Sequence, residues 1–313
     1  MKDMSIIVTG ASGLVGQSLC AELLARGARV YGLTRSPEKY GDHGFIPIKW
    51  NPSVSPSEED ESPEYIEAMR QAEVVVNLAG HSIGDGRFSE KHKNEIRRSR
   101  VAVTRTLSHG LRHAQSSSLR WVQASAVGFY GHTGEQVVDE TGGLGGLFLS
   151  SVCEVWEQEA LLAQENHPDC SFATLRLGVV LAPEAPAWKK MTLPIKMGVG
   201  GLLGDGKQWM SWVSKPDVTN MLLALIESTE TGVWNGTAPE AVRQGHLAKA
   251  VGSALSRPTI LPTPAWALKL ALGQMAEELV LSSCKALPSR FQQEGFTFEH
   301  PTLESAIPYL LET

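Results

Sequence analysis

Apolar residues fall along this chain in short β-branched runs that alternate with longer stretches of helical spacing. The first run, Ile6, Ile7 and Val8, reads as a buried strand. Glycines at 10, 13 and 16 follow it, then a helical pattern with Val15, Leu19 and Leu23 on one face. Residues 29–33, after Gly27, read as a second strand and 45–48 as a short third. Residues 51–64 are polar, rich in Ser and Pro, and include Glu58, Glu59, Asp60 and Glu61, which predicts a solvated loop. The next strand is 73–79, through Val74, Val75, Val76 and Leu78. A long helix is predicted over 89–114 with Ser89 as its N-cap. A strand at 119–125 follows, then a helix over 148–164 with Val152, Val155, Trp156 and Leu161 at core spacing, then a sixth strand at 173–180.

Strands alternating with helices predict a parallel sheet with right-handed crossovers. From about residue 183 Pro and Gly punctuate the pattern and short helices follow. The expected fold class is α/β: a doubly wound Rossmann sheet over 1–182 and a smaller, mostly helical C-terminal lobe over 183–313. Some strands or helices of the lobe are expected to return to the sheet. No internal repeat is visible.

The strand–glycine–helix stretch is the most informative chemistry in the chain. Strand, tight glycine turn and helix N-terminus are how a doubly wound sheet holds a dinucleotide pyrophosphate. In that reading Gly10 allows the turn, Gly13 lets the backbone approach phosphate, and Gly16 lets the helix sit close on the sheet. Ser12, Leu14 and Val15 complete the loop and its helix start. The spacing is Gly-x-x-Gly-x-x-Gly. Free N–H groups and the helix dipole at that end attract an anion. Sheets that take NAD usually carry Asp or Glu after the second strand to bond the ribose 2′-OH. This chain has Thr34-Arg35-Ser36 there. No carboxylate repels a 2′-phosphate, and Arg35 can grip one through its planar fork of donors. NADP is therefore expected over NAD, the other reading being a surface arginine. Asn77-Leu78-Ala79-Gly80 closes the fourth strand with small residues that let the cofactor approach the backbone.

Composition narrows the possibilities. The chain has 313 residues, 42% of them hydrophobic, enough for one large domain or a domain with a lobe. Net charge is −6, from 28 basic and 34 acidic residues, which gives no reason to expect nucleic acid. No apolar window approaches the length of a membrane span, and no membrane partner is expected. The first strand starts too near Met1 for a signal peptide. Cys20, Cys153, Cys170 and Cys284 lack metal-ligand spacing, so no metal site is expected. They read as reduced thiols of a cytoplasmic protein.

The chain resembles the extended, epimerase-like short-chain dehydrogenase/reductases. More narrowly it resembles their atypical subgroup labelled nucleoside-diphosphate-sugar epimerases. The resemblance rests on Thr9-Gly10-Ala11-Ser12-Gly13-Leu14-Val15-Gly16, Asn77-Leu78-Ala79-Gly80, Ser99-Arg100-Val101 and Gly128-Phe129-Tyr130-Gly131. Phe148-Leu149, Trp156-Glu157, Arg176-Leu177-Gly178-Val179-Val180-Leu181, Gly204-Asp205-Gly206-Lys207-Gln208-Trp209 and the tail Gly295-Phe296-Thr297-Phe298 extend it over nearly the whole chain. Two places depart from the subgroup pattern: His81 stands where Glu is expected, and Trp212-Val213-Ser214 where Trp-Ile-His is expected.

Catalysis in the larger family implies a Tyr-x-x-x-Lys pair on the helix after the fifth strand, the lysine lowering the phenol pKa. Counting back from Glu157 puts Leu149 at the tyrosine position and Cys153 at the lysine position, and no Tyr-x-x-x-Lys occurs anywhere. Three residues are candidates to stand in. Ser125 ends the fifth strand where the family positions a substrate-polarising hydroxyl, within the cofactor-binding set. Tyr130 is either a packed turn tyrosine or the hydroxyl nearest the nicotinamide. Cys153 is either a small core residue or a thiol facing it. His81 reads as a loop residue or a substrate contact. Lys189, Lys190, Lys196 and Lys207, with Trp209 and Trp212, sit where the family's second lobe covers substrate; surface lysines beside core tryptophans is the plainer reading. The basic residues of 89–114 read mainly as a solvated face. They face the glutamates of 148–165 if the two helices lie side by side, within a subunit or across a dimer. The expected assembly is a monomer or homodimer.

Two functions remain open on the sequence. One is an NADP-dependent oxidoreductase or epimerase for a small carbonyl or sugar-nucleotide substrate, with non-standard acid/base residues. The other is a catalytically silent NADP-binding regulatory protein, for which the resemblance implies a link to cell division.

Overall fold

Seven parallel strands build the central sheet of the computed structural model, which describes residues 1–312 other than Asp42, Asp85, Arg87 and Ser117. The first half runs β1 (Ser5–Thr9), α1 (Leu14–Ala25), β2 (Arg29–Thr34), β3 (Ile46–Lys49), α2 (Pro63–Gln71), β4 (Val74–Asn77), α3 (Glu90–Gly110) and β5 (Arg120–Ala126). A two-residue β6 (Val137–Val138), α4 (Phe148–Asn166) and β7 (Ser171–Leu177) follow. Then come β8 (Val179–Leu181), α5 (Pro186–Lys196), β9 (Trp209–Met210), β10 (Trp212–Ser214), α6 (Lys215–Glu227) and β11 (Gly232–Gly236). The chain closes with β12 (Val242–Arg243), α7 (Gln244–Ala254), α8 (Ala265–Leu272), β13 (Lys285–Ala286), α9 (Ser289–Gln293) and α10 (Leu303–Leu310).

Strand order is β11-β7-β5-β4-β1-β2-β3, every neighbouring pair parallel. The chain reverses its direction of travel across the sheet between β1 and β4. In such sheets ligands bind outside the carboxyl ends of the strands at that reversal. The β1 and β4 runs are apolar rather than alternating because both faces are covered. Ile6 and Val8 pack under Leu19 and Leu23 of α1 and Met221 and Leu222 of α6. Ile7 and Val75 pack on the other face beneath Met69 of α2 and Leu107 of α3. The C-terminal part thus returns to the sheet, through α6 on one face, β11 at one edge and Phe291 of α9 packed on β11. A third cluster, around Trp188, Trp212, Leu247 and Leu303, forms the core of the lobe.

Three expectations are corrected. The 173–180 strand breaks at Gly178, whose N–H goes to Gly236 O; β8 leaves the sheet and pairs with β10 in the lobe. The acidic stretch is not simply solvated: the Glu61 carboxylate is almost wholly buried, 2.6 Å from Arg112 and 2.9 Å from His113. Ser62 then caps α2, which the polar composition hid; the side chain of Asp60 lies outside the described residues. Leu161 is exposed on α4, while Val152, Cys153, Trp156 and Ala160 supply the buried stripe.

Candidate functional site

The glycine turn sits at the carboxyl end of β1. Gly10 has φ +68°, and a Cβ there would meet Leu78 C at 3.0 Å. At Gly16 a Cβ would fall 2.1 Å from Gly10 O, so only glycine lets α1 start this close to the turn. Gly13 is the N-cap and offers no side chain, and the first turn of α1 carries no acidic residue. Ser12 and Gly13 are exposed, Leu14 and Val15 half-buried. An uncapped helix start with exposed backbone is fitted to a phosphate anion, so the residues present fit a dinucleotide.

The loop after β4 is fixed from both sides. Thr9 Oγ1 accepts from Leu78 N and Ala79 N, each at 3.1 Å. His81 N donates to Ser99 Oγ at 2.9 Å, and Arg100 Nη1 donates to His81 O at 3.2 Å. Gly80 lies against that guanidinium, which burial pushes down to about 10. Asn77 serves differently from a cofactor contact by its side chain. It is wholly buried, accepts from Thr9 Oγ1 at 2.7 Å and donates to Thr104 Oγ1 and Gln123 Oε1. The register explains this, since Thr9, Asn77 and Gln123 are cross-strand partners. This buried ladder holds the strand ends in place; Thr104 and Gln123 carried no sequence signal.

Thr34 ends β2, and its hydroxyl accepts from Ser36 N at 3.2 Å. The tight turn leaves Arg35 exposed between them. Among the described residues Arg35 has neither an ion-pair nor a hydrogen-bond partner.

The candidate catalytic residues meet in one buried network. Ser125, at the end of β5, donates to Glu157 Oε1 at 2.6 Å. Glu157 is held by a two-pronged contact from Arg176, Nε at 2.8 Å and Nη2 at 2.7 Å. Ser125 and Arg176 are register partners on β5 and β7, and Glu157 reaches them from α4. Arg176 Nη1 donates to Tyr130 OH at 3.0 Å, and that hydroxyl donates to Asn235 Oδ1 at 2.7 Å. The guanidinium also lies 3.5 Å from the Phe129 ring centroid. Tyr130 is therefore the packed turn tyrosine: buried, with its hydroxyl engaged on both sides. Burial raises its pKa, and Arg176 only partly opposes this. Cys153 is a core residue whose thiol burial pushes up to about 11, helped by Glu157 and opposed by Arg100. Leu149 is buried as well. Glu157, Arg176 and Asn235 were missed as partners because residues up to 105 positions apart meet here.

The substrate-side candidates separate. Trp212 is core, donating to Glu240 O at 2.8 Å. Trp209 donates to Glu135 at 3.0 Å, with Arg243 and Lys285 against its ring. Lys190 donates to Gly84 O at 3.1 Å; Lys189, Lys196 and Lys207 are exposed. His81 is exposed, its ring 5.2 Å from that of His92. The helices α3 and α4 pack together within the chain, joined by Arg105 and Glu159 at 2.6 and 2.7 Å.

Sheet order, glycine turn and helix start together define a Rossmann-like dinucleotide-binding α/β protein. Residues 6–237 match the NAD dependent epimerase/dehydratase family, and the chain belongs to it. Residues 263–310 match a domain of unknown function (DUF1731). The epimerase family protein SDR39U1 homolog, chloroplastic, of Arabidopsis thaliana is 37% identical over 99% of this chain and 87% of its own. The crystal structure of human epimerase family protein SDR39U1 (isoform 2) with NADPH superposes with a TM-score of 0.85 at 27% identity, covering 99% of this chain and all of that one. The nucleoside-diphosphate sugar epimerase from Corynebacterium glutamicum matches with a TM-score of 0.75 at 28% identity, over 99% of this chain and 58% of that one. No helix among the described residues is long and apolar enough to cross a membrane.

Proposed function

We propose that the chain binds NADP(H) at the carboxyl ends of β1, β2 and β4 and is an oxidoreductase or epimerase acting without the Tyr-x-x-x-Lys pair. The substrate class is a small carbonyl compound or a sugar nucleotide. The observation that carries the cofactor choice is Arg35, exposed and unpartnered just past β2, with no carboxylate beside it. The NADPH in the human relative supports the same choice. The four free cysteines support a cytoplasmic setting.

When bound, the nicotinamide gives or takes a hydride. The chain's part is the proton. With its own proton directed to Glu157, Ser125 Oγ presents lone pairs and is set to accept from a substrate hydroxyl. Glu157 takes up the proton Ser125 passes on, and Arg176 fixes the carboxylate in place. Cys153 offers no charge to this site.

A second reading has a specific observation behind it. Leu149 and Cys153 are buried at the family's catalytic positions and Tyr130 is locked, which supports a cofactor-binding protein that turns nothing over. Titration of NADP(H) and NAD(H) into wild type and Arg35→Ala tests the binding claim. Wild type prefers NADP(H), and the variant loses about 1.5–3 kcal/mol for NADP(H) only; equal affinities in wild type refute the assignment. Absorbance of the reduced nicotinamide across sugar nucleotides and carbonyl compounds tests the activity. Turnover that Ser125→Ala abolishes and Cys153→Ala spares supports the enzyme. Tight NADPH binding with no consumption supports the silent reading.

A further inference from the structure

Arg100 is a cation that the protein's own contacts leave half used. It stands on α3 one turn before Thr104, whose hydroxyl donates to Arg100 O at 3.0 Å and accepts from Asn77 Nδ2 at 3.2 Å. Asn77 ends β4, and α3 runs back antiparallel to it, so Arg100 lies about one helical turn beyond the carboxyl end of that strand. On the neighbouring α4, Cys153 stands one turn before Glu157, which holds Ser125 at the end of β5. Arg100 and Cys153 are therefore at one level above β4 and β5, close enough for the guanidinium charge to act on the thiol.

Only one nitrogen of this guanidinium is engaged. Nη1 donates to Ile96 O at 3.0 Å and to His81 O at 3.2 Å. The group lies over Trp156, 4.9 Å from the ring centroid, and a Cβ on Gly80 would fall 2.9 Å from its central carbon. Nε and Nη2 have no hydrogen-bond partner among the described residues, and the protein does not enclose them. Nor does a carboxylate among the described residues pair with Arg100. Arg176 differs, since its Nε and Nη2 hold Glu157 and its Nη1 holds Tyr130. A half-buried cation without a counter-charge is costly to keep, and one beside a cleft points to a ligand.

We propose that Arg100 binds the nicotinamide half of the cofactor through its Nε–Nη2 edge. It thereby brings from α3 the positive charge that Cys153 does not supply from α4. The inference rests on the NADP(H) reading above. Strand order selects the half that is bound. Arg35 lies past β2, the uncapped start of α1 past β1, and Arg100 past β4, in the order β4-β1-β2. A dinucleotide with its 2′-phosphate at Arg35 and its pyrophosphate at Gly13 extends its other half over β4, toward Ser125. The pyrophosphate already has the helix start. That leaves the adjacent hydroxyls of the nicotinamide ribose for the open edge, whose two parallel N–H groups suit paired oxygens.

The test is calorimetric titration of NADPH, and of 2′,5′-ADP, which lacks the nicotinamide half, into wild type, Arg100→Met and Arg100→Lys. Arg100→Met is expected to weaken NADPH about tenfold and to leave 2′,5′-ADP unchanged, with Arg100→Lys between wild type and Arg100→Met for NADPH. Equal loss for both ligands makes Arg100 only a strut for the loop after β4 and overturns the proposal. Unchanged NADPH affinity overturns it as well. A second measurement needs no variant to fold: phenylglyoxal labelling of Arg100 in wild type, read by peptide mass spectrometry. NADPH is expected to block the labelling and 2′,5′-ADP to leave it. An Arg100 that resists the reagent without ligand, or is still labelled under saturating NADPH, overturns the proposal. Wild type that binds neither ligand refutes the NADP(H) reading itself, an outcome distinct from loss of the Arg100 contact alone.

Discussion

Tyr130 carries the sharpest consequence at the scale of a single residue. Its hydroxyl is the middle of the relay from Arg176 to Asn235, and Asn235 in turn donates to Leu287 O at 2.9 Å. Replacing it with Phe leaves a buried carbonyl oxygen and a buried guanidinium N–H unpaired. A buried group left without a partner costs about 1–3 kcal/mol. Tyr130→Phe is therefore expected to lower stability by that amount in urea denaturation while NADPH affinity stays unchanged. Loss of a measured turnover in that variant at full stability would instead put the hydroxyl in the chemistry. The sequence allowed both roles, because a turn tyrosine is written the same way whether its hydroxyl faces a cleft or a buried asparagine 105 residues away.

At the scale of the element, α4 depends on a residue from outside itself. Its N-cap, Leu147, makes no side-chain hydrogen bond, and its first turn has no acidic residue. Phe148 N and Leu149 N donate instead to the two carboxylate oxygens of Glu278, at 2.9 and 3.0 Å. Glu278 is buried in a π-helical turn between α8 and β13. The C-terminal segment thus anchors the start of the helix that carries Leu149, Cys153 and Glu157. Glu278→Ala should cost roughly 1–3 kcal/mol, with Glu278→Gln retaining part of it, both read from denaturation midpoints. Unchanged stability in the alanine variant would remove the anchor role. The helix itself was legible from Val152, Trp156 and their spacing; its cap was not, because it arrives from 130 residues away. Glu61 makes the same point, since an acidic Ser/Pro-rich stretch reads as solvent-facing until Arg112 and His113 fold over it. The glycine turn, by contrast, was legible because its geometry is local: Gly10 and Gly16 answer to neighbours within a few residues or on the adjacent strand loop.

At the scale of the whole molecule, burial raises the pKa of the Cys20 and Cys153 thiols in the core and of the half-buried Cys284, and this gives stability an alkaline limit. Burial pushes Cys20 up to about 12, and Cys153 and Cys284 up to about 11, from an ordinary 9.0. A group whose folded pKa is raised gives stability that is complete below the unfolded value and is lost as pH rises through the folded one. The window here opens near pH 9, where unfolded thiols ionise while the buried ones still hold their protons. At pH 10.5 each such thiol has forfeited about 2 kcal/mol. Denaturant midpoints are therefore expected to hold between pH 7 and 8.5 and to fall steeply by pH 10.5. Cys153→Ala removes one titrating group, so its fall between pH 8 and 10.5 should be about 2 kcal/mol smaller than that of wild type, whatever its stability at pH 8. Identical pH slopes in the two proteins would show that the Cys153 thiol ionises as easily in the folded core as in the unfolded chain.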